Sequence, residues 1–287
     1  MVEKNQEKRK ILVTGSSGML GTYLCEILAR DYSVVGFDAV MGQDVTDRQA
    51  TLGHIAAAKP EIIIHAAAWT DVDGCERDPK KANEINAAGT NNVADAARKT
   101  GALLIYISTD FVFDGSKSEP YSENDIPNPL SIYARTKLDG ERIAEKADQH
   151  IIIRTSWLYG KNGTNFVDAI LKKAKNGETL KVVNDQIGSP TYAKDLAKAI
   201  LELFKTDNGI YHISNGGSVS WFDYAKEILR ISGVQNVEIR PIKSPELNRP
   251  AKRPAFSVLD NAKFERLTGH KMRSWRESLK EYMNEKS

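Results

Sequence analysis

A phenol and an ammonium group stand one helical turn apart in the segment that runs from Tyr133 to Lys137. Residues four positions apart share one face of a helix, so both side chains reach the same space. A free tyrosine titrates near pH ~10, and a neighbouring positive charge lowers that value by favouring the phenolate. The pair therefore suits general acid–base chemistry, in which a phenol exchanges a proton with a reacting oxygen.

Thr109 follows a predicted strand whose carboxyl end opens into a crevice of the sheet. Ligands of parallel sheets bind at such ends, so we expect Thr109, Tyr133 and Lys137 to converge there, with Thr109 hydrogen-bonding a substrate oxygen. A second Tyr-x-x-x-Lys occurs from Tyr282 to Lys286. It has no comparable strand beside it, and we interpret it as a chance match.

Three glycines, Gly15, Gly18 and Gly21, lie where an apolar strand gives way to a helix. Without a Cβ the backbone can turn tightly, and a helix N-terminus offers unpaired N–H groups to an anion. This context is typical of a site for the pyrophosphate of a dinucleotide. A glycine-rich turn without a ligand is the alternative interpretation.

A carboxylate at the end of the second strand is expected to bind the adenosine ribose of such a dinucleotide. Asp38 has this position, and its negative charge disfavours a 2'-phosphate, which favours NAD(H). Asp44 and Val45 are expected to contact the cofactor as well. Thr46 together with Gln49 predicts a capping box at the start of the second helix.

Five β-branched runs alternate with helical patterns and predict the strands of one parallel sheet. They are Ile11–Val13, Val34–Phe37, Ile62–His65, Leu103–Ile107 and Ile151–Arg154. Strands separated by helices form right-handed βαβ units, and helices then cover both faces of the sheet. We therefore predict an α/β fold with a Rossmann-like, doubly wound parallel sheet.

The pattern becomes less regular after residue 159. Further helices are predicted at Asn165–Lys175, Tyr192–Phe204 and Trp221–Ile231, and strands at Leu180–Val183 and Ile210–Ile213. Pro241, Pro245, Pro250 and Pro254 predict a long irregular loop. We expect a charged tail (residues 1–10), a dinucleotide-binding domain (residues 11–159 plus parts of the later chain) and a smaller substrate-binding region (residues 160–287).

Composition excludes several classes of protein. The 287 residues include 40 Lys and Arg against 38 Asp and Glu, a net charge of +2, so we expect no nucleic-acid partner. The charged first ten residues and the lack of a long apolar run predict no membrane association and a cytoplasmic location. Two cysteines are too few for a disulfide framework or a zinc cluster.

Several segments together resemble one superfamily. The Thr-Gly-x-x-Gly-x-Leu-Gly turn, the run His-Ala-Ala-Ala, the segment INAAGTNN and the Thr109, Tyr133, Lys137 set are similar to the extended short-chain dehydrogenases/reductases. Within that superfamily, STDFVFDG, PLSIYARTKLDGE, RTSWLYG, NDQIGSPTYAKDLA and RPAFSVLD resemble the dTDP-4-dehydrorhamnose reductases. The resemblance runs from Ile11 to about Leu259.

The resemblance implies further site residues. Cofactor contacts would come from Gly15, Ser17, Gly18, Met19, Leu20, Ala66, Ala67, Ala68, Tyr133, Lys137 and Trp157. Asn86 would complete the catalytic set by holding a water near Lys137. Substrate contacts would come from Thr70, Val72, Asp110, Phe111, Trp157, Asn165, Gln186 and Arg253. Arg253 would meet the diphosphate, because a planar guanidinium suits phosphate oxygens.

The implied activity is reduction, with NADH or NADPH, of the C4 keto group of dTDP-4-dehydro-6-deoxy-L-mannose to give dTDP-L-rhamnose, with Tyr133 as proton donor. Related dehydratases carry a glutamate where Phe111 stands here, so elimination of water is not expected. Two other interpretations stay open. One is a non-catalytic subunit resembling the regulatory β subunit of methionine adenosyltransferase, and the other is another sugar-nucleotide epimerase or reductase.

One departure from the family pattern concerns metal binding. Some relatives hold Mg²⁺ at a dimer contact with acidic residues, and Tyr23 has the position of one of them. We therefore predict no metal, and a homodimer is left open.

Overall fold

The computed structural model describes residues 8–286, so most of the predicted tail lies outside the described residues. Twelve strands occur in this part of the chain. In chain order, β1 to β12 are Lys10–Thr14, Ser33–Phe37, Ile62–His65, Leu103–Thr109, His150–Thr155, Leu158–Tyr159, Leu180–Val183, Ile187–Gly188, Thr191–Tyr192, Gly209–His212, Val219–Ser220 and Ile239–Ile242.

Eleven α-helices occur in the same described part. In chain order, α1 to α11 are Met19–Leu28, Arg48–Ala58, Val72–Arg77, Pro79–Asn83, Thr90–Thr100, Ile132–Ala144, Phe166–Lys175, Ala193–Glu202, Trp221–Ser232, Ala262–Thr268 and Trp275–Glu285. A π-helical segment, Glu84–Gly89, joins α4 to α5. Between residues 8 and 286 no helix is both long and apolar enough to span a membrane.

Six strands form the central sheet in the order β10-β5-β4-β3-β1-β2, and all of its neighbouring pairs are parallel. Alternate residues of a strand face opposite sides of a sheet. Ile11 and Val13 accordingly pack in one core with residues of α1 and α8, whereas Leu12 packs in a second core with residues of α2 and α5. The predicted doubly wound α/β fold is confirmed.

The later part of the chain contributes to both the sheet and its surroundings. Strand β10 pairs with β5, with Tyr211 opposite Ile153, and α8 packs against α1. Three small two-stranded sheets lie beside this core: β6 with β9, β7 with β12, and β8 with β11. The prediction of an irregular loop is wrong at Pro241, because this residue belongs to β12 and lies opposite Val182 of β7. The division at residue 159 stays a prediction.

The start of α2 also differs from its prediction. Asp47, not Thr46, is the N-cap residue, and its carboxylate accepts a bond of 2.9 Å from the Ala50 N–H. The Thr46 N–H is bonded to Asp44 Oδ1 at 2.8 Å. Thr46 therefore belongs to the preceding turn, and the capping box with Gln49 is wrong by one residue.

Candidate active site

The glycine loop is packed tightly enough to exclude side chains. Gly15 has φ +67°, and a Cβ added to it would lie 2.8 Å from the Ala67 backbone nitrogen. A Cβ added to Gly21 would lie 2.0 Å from the Gly15 carbonyl oxygen. Gly18 is the N-cap residue of α1 and supplies no side-chain cap, so the first N–H groups of α1 are available to an anion.

Asp38 joins the end of β2 to this loop. Its Oδ2 accepts a bond of 2.9 Å from the Ser17 N–H, and its Oδ1 accepts one of 3.1 Å from the Val40 N–H. The carboxylate therefore orders the loop whatever it binds in addition. Asp44 caps the turn before α2 and Val45 is buried in the second core, so neither side chain is free of a structural role.

A cavity of about 410 Å³ lies beyond the carboxyl ends of β3, β4 and β5. It is lined by residues from the glycine loop, the segment after β3, the end of β4, α6 and the segment after β5. Those predicted from the sequence are Gly18, Met19, Leu20, Ala66, Ala68, Thr70, Val72, Thr109, Asp110, Phe111, Tyr133, Lys137 and Trp157. The volume is in the range of small-molecule sites.

Local structure explains why Thr109 meets the helix that carries Tyr133. Thr109 ends β4, and its hydroxyl accepts from the Phe111 N–H at 3.2 Å, which turns the chain sharply. Helix α6 is capped by Ser131, and the Ile132 N–H donates to Glu76 of α3 at 2.9 Å. These caps start the helix one turn before Lys137.

Lys137 is buried and points at the end of β4. Its ammonium donates a bond of 2.7 Å to the Ile107 carbonyl and lies 4.1 Å from the centre of the Tyr106 ring. Burial lowers the pKa of Lys137 to about 7, and the carboxylate of Glu141 opposes this shift. The neutral amine and the ammonium form of Lys137 are therefore close in free energy near neutral pH.

Burial raises the pKa of the Tyr133 phenol above its ordinary value, and a hydrogen bond with Thr109 opposes the rise. The direction is opposite to the lowering that the sequence predicted, because desolvation of the phenolate outweighs the hydrogen bond with Thr109. A phenol with a raised pKa stays protonated at neutral pH. In this form Tyr133 can donate a proton.

Asp110 links the end of β4 to the C-terminal region. Its carboxylate accepts bonds from Thr109 Oγ1 at 3.0 Å and from Ser257 Oγ at 2.5 Å. Burial raises the pKa of Asp110 to about 7, although these hydrogen bonds favour the charged form. Ser257 lies in the segment RPAFSVLD, which carries part of the family resemblance, but only the fold shows its connection to the site.

An aromatic pair forms another wall of the cavity. The rings of Trp157 and Trp221 stack with centroids 3.5 Å apart and planes inclined by 6°. Trp157 has φ +46°, an uncommon conformation for a bulky residue. A Cβ at Gly188 would lie 2.5 Å from the Trp157 ring, so this glycine makes room for the indole.

Several predicted residues lie away from this cavity lining. Asn86 bonds both backbone groups of Trp69 and the Thr136 hydroxyl (3.2 Å), so its predicted place near a water at Lys137 stays a prediction. The Ala67 N–H donates to Thr14 Oγ1 at 3.2 Å. The others outside this lining are Gly15, Ser17, Asp38, Asp44, Val45, Asn165, Gln186 and Arg253.

Three predicted substrate residues have structural partners. Asn165 caps α7 and donates to the Gly160 carbonyl at 2.9 Å, and Gln186 donates to Ser244 Oγ at 2.8 Å. The Arg253 guanidinium forms two bonds to the carboxylate of Asp73, of 3.1 and 2.8 Å. Contact of these side chains with a substrate stays a prediction.

Sequence reasoning missed some of the lining. Ile107, Leu158, Thr164 and Trp221 line the cavity without having been predicted to do so. Leu158 directly follows the predicted Trp157 and Ile107 lies two positions before the predicted Thr109, and that proximity was the available signal. Trp221 begins α9 and reaches the cavity through a contact distant in sequence, which no local motif indicates.

No group of three or more His, Cys, Asp or Glu side chains within residues 8–286 is arranged to hold a metal ion. Tyr23, the residue that departs from the acidic pattern, places its hydroxyl 3.1 Å from that of Tyr192. The absence of a metal stays a prediction.

The parallel sheet, the glycine loop and the cavity with Thr109, Tyr133 and Lys137 define an extended short-chain dehydrogenase/reductase. The chain belongs to the family described as the RmlD substrate binding domain, whose model matches residues 9–287.

Relatives are similar over nearly their whole lengths. The spore coat polysaccharide biosynthesis protein SpsK of Bacillus subtilis is 41% identical over 280 residues, which cover 97% of this chain and 98% of SpsK. A dTDP-4-dehydrorhamnose reductase structure from Clostridium acetobutylicum has a TM-score of 0.91 and 42% identity, covering 96% and 98% of the two chains. The Bacillus anthracis dTDP-4-dehydrorhamnose reductase, solved in complex with NADP, has a TM-score of 0.92 and 40% identity, covering 97% and 99%.

Proposed function

We propose that the chain reduces the C4 keto group of dTDP-4-dehydrorhamnose to give dTDP-L-rhamnose, using NADH or NADPH. The observation that carries the proposal is the placing of Thr109, Tyr133 and Lys137 on one cavity together with Gly18 of the glycine loop. Similarity to reductases of this name, at 42% and 40% identity, supports the choice of substrate.

The residues present fit a dinucleotide. The loop at Gly15 and Gly21 has no room for a Cβ, which lets the backbone approach a pyrophosphate, and the start of α1 presents N–H groups to it. Ala66 and Ala68 continue the cavity with small side chains. When bound, the cofactor supplies a hydride to the carbonyl carbon.

The chain's own residues place the substrate and deliver a proton. Tyr133, neutral because its pKa is raised, donates its phenolic proton to O4 as negative charge develops there. Thr109 orients the carbonyl by donating its one hydroxyl hydrogen to O4 in place of Asp110, which accepts that hydrogen in the structure. Lys137 in its ammonium form binds the nicotinamide ribose and stabilises the phenolate that Tyr133 leaves behind.

The nucleotide end of the substrate is assigned to the later chain. Trp157, braced by Trp221, packs against the sugar and closes one wall of the cavity. Arg253 contacts the diphosphate, and Asp73 holds its guanidinium in a fixed direction beforehand. Asn165, the N-cap residue of α7, and Gln186, which precedes β8, are assigned to the substrate as well. A cytoplasmic location and a homodimer stay predictions.

A single coupled assay tests this function against its alternatives. Purified protein is mixed with reduced cofactor and the dTDP-4-keto sugar, and the absorbance of the reduced nicotinamide is followed with analysis of the sugar product. Loss of absorbance with formation of dTDP-L-rhamnose is expected. Absence of turnover together with co-purification of a methionine adenosyltransferase would support the regulatory alternative. Conversion of a non-keto sugar nucleotide without net cofactor use would support an epimerase.

A further inference from the structure

A buried ion pair lies directly behind the catalytic lysine. Arg154 of β5 donates to Glu141 of α6 through Nε at 2.9 Å and Nη2 at 2.7 Å, and each side chain is only 2% exposed. Ser108 Oγ donates a third bond to the same carboxylate at 2.5 Å. Both oxygens of Glu141 therefore have fixed partners, and the carboxylate has one well-defined position.

The Nη1 atom of Arg154, which does not bond Glu141, faces the neutral imidazole of His212. Arg154 Nη1 lies 3.4 Å from His212 Nε2, and His212 Nδ1 lies 2.9 Å from the Tyr121 carbonyl oxygen. Because a carbonyl only accepts, we assign the hydrogen to Nδ1 and leave Nε2 as an acceptor for the guanidinium. Burial, together with the charge of Arg154, lowers the pKa of His212 to about 3.

The pair is connected to the site through consecutive residues of β4. The Ile107 carbonyl holds the Lys137 ammonium, Ser108 holds Glu141, and Thr109 lines the cavity. Glu141 is four residues after Lys137, so both side chains lie on the same face of α6. The strand and the helix together thus fix the carboxylate on the face of α6 that also carries the lysine.

Most of the other titratable groups around Lys137 are neutral. Burial raises the pKa values of the Tyr106, Tyr133 and Cys75 side chains, which keeps all three neutral near pH ~7. His65 of β3 is also neutral, because burial and the charge of Lys137 lower its pKa to about 3. The charged or partly charged groups that remain are Asp110 after β4, Asp139 on α6, Arg154 of β5 and Glu141 itself.

We propose that Glu141 is a positioning residue for the reduction: anchored by Arg154 and Ser108, its carboxylate keeps the buried Lys137 in the ammonium form that catalysis requires. The inference rests on the function proposed above. Burial favours the neutral amine of Lys137 and Glu141 opposes it, so loss of this carboxylate shifts the balance toward the amine. A neutral lysine neither stabilises the Tyr133 phenolate nor carries charge to the ribose.

The test compares Glu141→Gln with a matched variant, Asp195→Asn. Asp195 also accepts two bonds from an arginine, Arg273, at 2.8 and 2.7 Å, and one from a serine hydroxyl, but it lies outside the lining of the cavity. In Glu141→Gln the alkaline limb of the kcat against pH profile should move down by about one pH unit or more. In Asp195→Asn and in Glu141→Asp, which keeps the charge, the limb should stay near its wild-type position.

A second measurement follows Lys137 directly. The pH titration of its side-chain ¹⁵N resonance, assigned with Lys137→Met, should move to lower pH in Glu141→Gln and stay in place in Asp195→Asn. If Glu141→Gln does not fold, the double variant Glu141→Gln/Arg154→Met also removes the guanidinium that the single variant leaves unpaired. It should move the titration in the same direction by a smaller amount, because loss of the Arg154 charge favours the ammonium form of Lys137.

The outcomes are distinguishable. An unmoved titration and an unmoved alkaline limb in Glu141→Gln, or an equal movement in Asp195→Asn, would overturn the inference. If the wild-type protein does not reduce the keto sugar, the proposed function fails, and the titration of Lys137 still decides whether Glu141 holds its charge.

Discussion

Replacing Gly21 by alanine tests how closely the glycine loop must approach the first helix. In an open helical position alanine is more stable than glycine by about 1 kcal/mol. At Gly21, however, the added Cβ would lie 2.0 Å from the Gly15 carbonyl oxygen and 2.7 Å from Ser16 Cα. Ordinary contact begins at 3.4 Å, so the loop and helix would have to separate by about 1.4 Å.

This separation should cost more than the helix gains. Overpacking of a tight contact costs about 1–3 kcal/mol, so Gly21→Ala should lower the free energy of unfolding despite its better helix propensity. The movement should also displace the N–H groups that hold the pyrophosphate. Because misplacement by ~1 Å can cost on the order of 100-fold in a positioned site, we expect the Kd for NADH or NADPH to rise by at least about tenfold.

Gly53 supplies the matched control. It also lies inside a helix, α2, and a Cβ added there would meet nothing within 4 Å. Gly53→Ala should raise stability by about 0.5–1 kcal/mol and leave cofactor binding unchanged. Urea unfolding and fluorescence titration with reduced cofactor measure both quantities. Cofactor binding by Gly21→Ala as tight as that of Gly53→Ala would refute the close approach.

Three further predictions concern single side chains. The pKa of Asp110 is raised to about 7 in the folded protein, so the folded chain holds this proton more tightly than the unfolded chain does. The stabilising contribution of Asp110 is therefore present at low pH and is lost as the pH rises from ~4 to ~7. Asp110→Asn should remove this decline in the free energy of unfolding. Urea unfolding of variant and wild type across this range checks it, and a constant difference would contradict it. Asp38→Ser should raise the preference for NADPH over NADH by about tenfold or more, because it removes a charge that repels the 2'-phosphate. The two KM values measure the preference, and a wild-type protein that already strongly prefers NADPH would refute the role given to Asp38. Trp221→Ala should raise KM for the sugar nucleotide about fivefold, because Trp157 loses the ring that stacks on it at 3.5 Å. The Kd of the cofactor should not change, and an unchanged KM would contradict the role of the aromatic pair.

The sheet could be predicted because each of its strands carries its own signal. Ile62–His65 is a continuous apolar run followed by a turn, and the structure forms β3 over the same residues. The first residue of α2 was harder to predict, because Thr46 and Asp47 are neighbours and both are good N-cap residues. Which of them caps the helix depends on Asp44, which takes the N–H of Thr46.

The meeting of Thr109, Tyr133 and Lys137 could also be predicted, because strand order and helical spacing are local rules. The partners that come from distant parts of the chain could not. Trp221 stacks on Trp157 from 64 positions away, and Ser257 binds Asp110 from 147 positions away. These contacts depend on how the small sheets pack beside the central one, which no single segment encodes.

The direction of the shift in the Tyr133 pKa could not be predicted from the sequence either. Spacing shows that Lys137 lies near the phenol but says nothing about how much water the fold removes from either group. Burial raises the pKa of Tyr133 and lowers that of Lys137, so both shifts favour the neutral forms. The same burial makes the surrounding charges, including Glu141, important for the lysine.

The proton-donating role of Tyr133 is tested most directly by comparing Tyr133→Phe with Tyr282→Phe. Tyr282 begins the other Tyr-x-x-x-Lys segment, but its hydroxyl bonds Asp168 and the Gly160 carbonyl, and it lies outside the lining of the cavity. With the dTDP-4-keto sugar and reduced cofactor, kcat should fall by about 100-fold or more in Tyr133→Phe, with an unchanged Kd for the cofactor, and should remain near wild type in Tyr282→Phe. A Tyr133→Phe protein that binds cofactor and turns over at the wild-type rate would contradict the account.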